Sequence, residues 1–324
     1  MLLIYHKIKS PRIDYTFDVI FKHILGIEYK TIQDIEEFNQ HQGQKINYSD
    51  DHFSNSINIS PCEDLWDNNV KKINPEVFIW NDLPVFFKTD QQSSIPFDLL
   101  SMIFYLLSRY EEHYCEEFDH HNRFMCANSH AFRNDYLHLP LVNIIAEELL
   151  KLINLEFEKD IKSKASYIFH PTFDIDIAYA HTGKGNLRAM AAFAKLMLRR
   201  DFKNIRQRMA VTYGNQKDPY DNFAFILEIL EKYKLKGTFF ILIGDYGRFD
   251  KNVPHTNAKF RILIKQLSEH GEIGLHPSYD SFNNIEKIKK EKNRLEDIIG
   301  REVIKSRQHF LRMRFPETYN CLID

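Results

Sequence analysis

A chain of 324 residues is long enough for two domains with separate cores, and 44% hydrophobic against 27% charged residues is the balance of a water-soluble globular protein. The 43 lysines and arginines against 45 aspartates and glutamates leave a net charge of −2, which argues against a general nucleic-acid binder, since a phosphate backbone rewards a clear basic excess. No apolar run approaches the roughly 20 residues of a transmembrane segment, and the apolar start Met1-Leu2-Leu3-Ile4-Tyr5 is too short, with no basic region before it, for a signal peptide. Cys62, Cys115, Cys126 and Cys321 are scattered without a C-x-x-C pair, so a cytoplasmic location with reduced thiols is the expectation.

Residues 2–5 read as a first strand, and a helical pattern begins near Asp14. Residues 96–113 carry Leu99, Leu100, Ile103, Leu106, Leu107 and Tyr110 at helical spacing behind Pro96, a residue suited to a first turn, and predict an amphipathic helix. Past it, His113, Cys115, Asp119, His120 and His121 are ligand types at close spacing, but Glu111, Glu112, Glu116 and Glu117 around them make a solvated acidic loop the simpler account. A further helical stripe spans 141–153. Residues 155–165 (LEFEKDIKSKA) then switch to charge, which places a domain boundary there, between an amino-terminal α/β domain over 1–160 and a second domain over 165–324.

Beyond the boundary the pattern alternates. Residues 166–173 read as a strand, and 221–233 as a helix capped by Asp221 with Phe225, Leu227, Ile229 and Leu230 available to the core. The turn Lys236-Gly237 leads into a strand over 238–243; a helix over 260–270, a strand over 272–275, a helix over 284–299 ending at Gly300 and a fourth strand over 303–310 follow. Such alternation implies parallel strands joined by crossover helices, with chemistry at the carboxyl ends of the strands. The segment 184–208 is basic, with Lys184, Arg188, Lys195, Arg199, Arg200, Lys203, Arg206 and Arg208 against Asp201, and has an apolar face through Phe193, Leu196 and Met197. A solvated helix face is one reading of it; a lid, or a surface for an anionic substrate or membrane, is the other.

The chemistry concentrates in His170-Pro171-Thr172-Phe173-Asp174-Ile175-Asp176, where two carboxylates stand at i and i+2 at the end of an apolar run. Emerging where a strand opens into a loop, one could hold a metal while the other takes a proton from water. Loop aspartates are more often turn formers, so the D-x-D gains weight only from the later His276, Asp280, Arg307 and His309, which also fall at expected strand ends. Asp280 reads first as a helix cap, and His309 equally as a ligand or as a packed interior imidazole.

Residues from about 165 to 324 resemble the polysaccharide deacetylases of the NodB-homology class. The resemblance implies a distorted (β/α) barrel and a divalent metal, commonly zinc, used to remove acetyl groups from sugars. Thr172-Phe173-Asp174-Ile175-Asp176 is similar to the motif T-F-D-D-G with its second acid displaced by one position, as in the D-x-D variants of the class, which implies Asp174 as catalytic base and Asp176 as metal ligand. His276 matches the first histidine of H-[S/T]-x-x-H, and Asp280 stands where the second is expected; a carboxylate oxygen can ligate zinc. Arg307-Gln308-His309-Phe310 matches R-x-P-[Y/F/W] with histidine for proline, implying that Arg307 orients the base and that His309 supplies the missing imidazole. The L-x-x-H motif of the general acid does not follow Phe315-Pro316-Glu317, and four strands do not close a barrel of about seven or eight, so a partial barrel, incomplete at its carboxyl end, is expected.

The first 160 residues also look like the region that precedes this domain in some bacterial relatives, most of all in Phe104-Tyr105-Leu106-Leu107-Ser108-Arg109-Tyr110-Glu111-Glu112. The expected function is therefore a metal-dependent hydrolase of N-acetylated amino sugars in a bacterial polysaccharide or its precursor. Asp174 and Arg307 would be catalytic, and Asp176 and His276, with His309 or Asp280, would hold the ion. The alternative is a deacetylase-like carbohydrate-binding protein with little or no turnover. Nothing in the pattern specifies an oligomeric state.

Overall fold

Residues 2–6 are buried on both faces, as a central parallel strand demands, and form β1 (Leu2–His6). The computed structural model describes residues 1–62, 65–89 and 92–323, and divides the chain into one unit of residues 1–119 and 124–167 and a second of 120–123 and 168–324. In the first unit α1 (Pro11–Phe17) starts at Ser10, whose hydroxyl accepts the N–H of Arg12. Then come β2 (Tyr29–Ile32), α2 (Ile35–Gln40) capped by Asp34, β3 (Lys45–Tyr48) and β4 (Ile57–Ile59), which complete a parallel sheet of order β2-β1-β3-β4. A hairpin joins β5 (Phe78–Trp80) to β6 (Leu83–Val85) through Asn81 and Asp82, both at positive φ, as a two-residue turn requires.

The helix expected over 96–113 is shorter at both ends. α3 (Leu99–Leu107) begins at Asp98, not at Pro96, because the Asp98 carboxylate accepts the N–H groups of Leu100 and Ser101; at Arg109 the chain takes φ 50° and residues 110–114 wind as a tighter 3₁₀ turn. Asp98 also accepts from Tyr48 Oη, Ser101 Oγ and the N–H of Cys62, so this fully buried acid is saturated and structural. α4 (His130–Arg133) and α5 (Leu141–Glu156) complete the unit, whose core gathers Ile4, Phe17, Phe21, Ile103, Ile145 and Leu149.

The second unit holds β7 (Thr172–Ile175), α6 (Asn186–Leu198), α7 (Phe202–Thr212), α8 (Phe223–Lys232), β8 (Gly237–Leu242), α9 (Ala258–His270), β9 (Gly271–His276), α10 (Ile285–Ile299) and α11 (Glu317–Ile323). Its strands form a parallel sheet of order β7-β8-β9 with helical crossovers. Three expectations shift. The strand placed at 166–173 begins only at Thr172, because β8 offers a partner only from Gly237 onward; Tyr167, Ile168 and Phe169 are exposed. The fourth strand contracts to one parallel bridge, Leu275 with Ser306, since residues 308–311 leave the sheet in a turn where Phe310 and Leu311 adopt φ 60° and 53°. The described residues thus form an open three-stranded sheet, not a closed barrel. In α8 the flanking residue is Asn222 in place of Asp221, and Phe225 is exposed while Phe223, Leu227 and Leu230 turn inward. No helix among the described residues is long and apolar enough to cross a membrane.

Candidate metal centre

Side chains alternate across a strand, and here the alternation separates core from chemistry. Phe173, Ile175, Phe239, Ile241, Ile273 and Leu275 face the hydrophobic core. The intervening positions, Thr172 and Asp174 on β7, Phe240 on β8, Gly274 and His276 on β9, share the opposite face, with Asp174, Phe240 and Gly274 in register. The i, i+2 spacing of Asp174 and Asp176 keeps both acids on that side.

Arg307 holds the first acid. Its Nη1 donates to Asp174 Oδ1 at 2.9 Å, its Nη2 donates to Thr172 Oγ1 at 2.9 Å, and its guanidinium lies 4.4 Å from the centre of the Phe240 ring. The backbone of the same residue donates its N–H to the carbonyl of Leu275 and accepts the Nδ1–H of His276. One residue therefore fixes the end of β7 and the end of β9.

The second acid meets two histidines. Asp176 Oδ1 lies 3.1 Å from His276 Nε2 and 3.6 Å from His309 Nδ1, and the two imidazole nitrogens are 3.0 Å apart. A tetrahedral ion with bonds near 2.1 Å sets its ligands about 3.4 Å apart, so these separations match an ion's coordination edges. The chemistry of the donors fits too. His276 Nδ1 faces a carbonyl, which can only accept, so Nδ1 carries the hydrogen, and Nε2, the nitrogen directed at Asp176, is the one that can offer a lone pair to an ion. Asp176 Oδ1 is buried without a hydrogen-bond donor despite its close neighbours. Burial lowers the pKa of His309, which favours the form of the ring that can ligate a cation. Converging acceptors without a donor repel one another, and a cation relieves that repulsion.

Of the expected ligands, Asp176, His276 and His309 meet, and they are the group of metal-binding types that converges among the described residues. Asp280 is exposed in the turn 279–281 and is not part of it. The ligand-type run from His113 to His121 forms no such group among the described residues. The His121 ring pairs with Tyr279 Oη at 3.0 Å and joins a ring cluster with Phe249, Tyr279 and Phe310, the last of which packs on His309.

Sequence reasoning missed Asp250. Its buried carboxylate accepts the N–H of Tyr279 and stands 3.7 Å from His309 Nε2, on the far side of the ring from Asp176. The only signal for it was an acid in the loop after a strand, which also reads as turn chemistry. A groove of about 530 Å³ opens along β7, lined by Thr172, Asp174, Asp176, Tyr220, Asn222 and Phe223 among others.

Residues 1–158 match a protein family described as "Family of unknown function (DUF7033)"; Asp174, Asp176, His276, Arg307 and His309 all lie outside the matched segment. No curated protein and no solved structure matches the chain.

Proposed function

We propose that the second unit is a metal-dependent hydrolase of the polysaccharide deacetylase kind, removing acetyl groups from N-acetylated sugars. The observation that carries this reading is the arginine-held Asp174 on the same sheet face as the convergence of Asp176, His276 and His309. A divalent cation, zinc by the preference of two imidazoles and a carboxylate, would be held by those three residues and would supply Lewis acidity to an acyl oxygen and acidify water.

The remaining steps belong to the protein. Asp174 accepts a proton from the water that attacks the acyl carbon and returns it to the sugar nitrogen as the C–N bond breaks; Arg307, bonded to Oδ1, orients the carboxylate and leaves Oδ2 for that water. The Arg307 carbonyl fixes the His276 ring, so base and ligand move together. Asp250, 3.7 Å from His309 Nε2, places a carboxylate behind the second imidazole. A second reading, sugar binding with little turnover, rests on the cluster of Phe249, Tyr279 and Phe310, rings of the type on which sugar faces stack.

Acetate release from an N-acetylated chito-oligosaccharide, with zinc added and after chelation, tests the proposal. Zinc-dependent release supports the hydrolase, oligosaccharide binding without release supports the second reading, and a chain that binds no zinc overturns the ligand assignment.

A further inference from the structure

The basic segment 184–208 is not part of the metal centre, and it is not the solvated helix face that its charge suggests. A helix lying on a core turns its apolar stripe inward and its charges to water. In α6 the stripe is Leu187, Met190, Ala191, Ala194, Met197 and Leu198, at i, i+3, i+4, i+7, i+10 and i+11, and all six are exposed. Leu187 and Leu198, at its two ends, are 85% and 87% exposed, and none of the described residues of α6 is buried.

Helix α7, against which α6 packs, repeats the arrangement. Ile205 and Val211 are buried and anchor it. Phe202, Met209 and, one residue past its end, Tyr213 are exposed, on the same side as Arg206 by their spacing of i, i+4, i+7 and i+11. Two consecutive helices thus hold large apolar side chains in water, a feature that marks a surface made for a partner.

The charges around these side chains say what the partner is. Residues 184–208 carry eight lysines and arginines against one aspartate, in a chain whose net charge is −2. Lys195, Arg199, Arg200, Lys203 and Arg206 are exposed among the apolar residues. A second copy of the same face would bring like charges together, which opposes self-association. A nucleic acid or an acidic polysaccharide would satisfy the cations but has no apolar interior to receive Leu187 and Leu198. An anionic bilayer offers both layers, phosphates at its surface and acyl chains just beneath. At 13 residues, about 20 Å, α6 is too short to cross a bilayer and suited to lie along one.

We propose that α6 and α7 form a docking surface for an anionic membrane. Leu187, Met190, Met197, Leu198 and Phe202 enter the boundary of the acyl chains, while Lys195, Arg199, Lys203 and Arg206 lay their aliphatic stems on the same face and carry their charges up to the lipid phosphates. This surface is independent of the hydrolase reading, since it contains none of the residues of the metal centre.

Flotation of the full chain with lipid vesicles, after chelation of metal, tests it without any activity assay. The chain is expected to float with phosphatidylglycerol vesicles at about 1 mM lipid, ten times the concentration at which a single myristoyl chain is half bound, and to stay behind with phosphatidylcholine. Raising the salt to about 0.5 M should weaken the binding. Leu187→Gln combined with Leu198→Gln should lower it about tenfold or more, by removing the buried apolar area. Lys195→Gln, Arg199→Gln and Lys203→Gln together should do the same, by removing the attraction to the headgroups. All five positions are exposed, so the thermal transition by circular dichroism should not move; should the leucine variant melt early, the charge variant still carries the test.

Flotation with neither vesicle, equal flotation with both, or parent-like flotation of either variant overturns the proposal. Sedimentation velocity without lipid covers the remaining occupant: a dimer that the paired leucine substitutions convert to monomer identifies a second copy on this face and overturns the membrane as its partner.

Discussion

Asp174 and Asp176 stand two positions apart yet are held by different groups, so their removal should differ in kind. Asp174 is tied to an arginine and, in the function proposed above, acts on water, whereas Asp176 faces two imidazole nitrogens. Asp174→Asn is therefore expected to keep the zinc content and lose about 10²- to 10⁴-fold in acetate release, while Asp176→Asn loses both. Metal analysis beside acetate release checks this, and the opposite pattern would exchange the two roles. Asp218 gives a pH prediction. Burial alone would raise its carboxyl, but the N–H groups of His181, Thr182, Ala180 and Tyr220 win and lower it from 3.8 to about 2. A folded-state pKa below the unfolded one stabilises above pH 4, and that stabilisation, at most about 2 kcal/mol, disappears as pH falls from about 4 to 2. Asp218→Asn should lack this component, so urea unfolding at pH 5 and pH 2.5 should show a smaller acid loss in the variant than in the parent. The D-x-D was legible in the sequence because a spacing of two is the period of a strand. Asp250 was not, because nothing local says that its loop passes behind His309.

At the scale of elements, packing sets the terms. A Cβ on Gly274 would lie 2.5 Å from Phe240 Cδ1 and 3.1 Å from the carbonyl of Lys305, so this strand position must stay bare for Phe240 to serve as the platform under Arg307. Gly274→Ala should cost about 1–3 kcal/mol in urea unfolding and reduce acetate release even where the protein remains folded. Asp98→Ala removes the cap of α3 and strips acceptors from Tyr48 and Cys62, so a loss of about 3 kcal/mol or more is expected. Trp66, whose indole N–H donates to Tyr48 Oη, should report the change by fluorescence. Helix α10 could be read from its sequence because Ile288, Leu295 and Ile298 recur on one buried face. The fourth strand could not, since an apolar run does not disclose how much of it finds a partner; only Ser306 does, opposite Leu275. Pro96 misled in the same way, because a proline suited to a first turn competed with Asp98, the residue that caps.

In the whole molecule the two units have separate cores, which predicts that a fragment of residues 1–167 folds and melts cooperatively by circular dichroism. A fragment without a cooperative transition would refute that. The switch to charge over 155–165 lies just before the division at 167 and 168, but residues 120–123 join the second unit, and no compositional change marks them. Their placement depends on Arg123 and His121 meeting Phe310 and Tyr279, partners far along the chain. One feature of the second unit bears on its motion. Strand β7 is four residues long, pairs among the described residues with β8 alone, and carries Asp174 with Asp176 directly after it. Short edge strands open locally at a fraction of the free energy of global unfolding, so both acids ride on the segment most ready to detach. An ion gripping Asp176 would tether that segment to β9 through His276, making occupancy and local folding a single equilibrium. Amide exchange at residues 173–176 should then slow on addition of zinc far more than in the helices, and the protein would sense its metal as the closing of a strand.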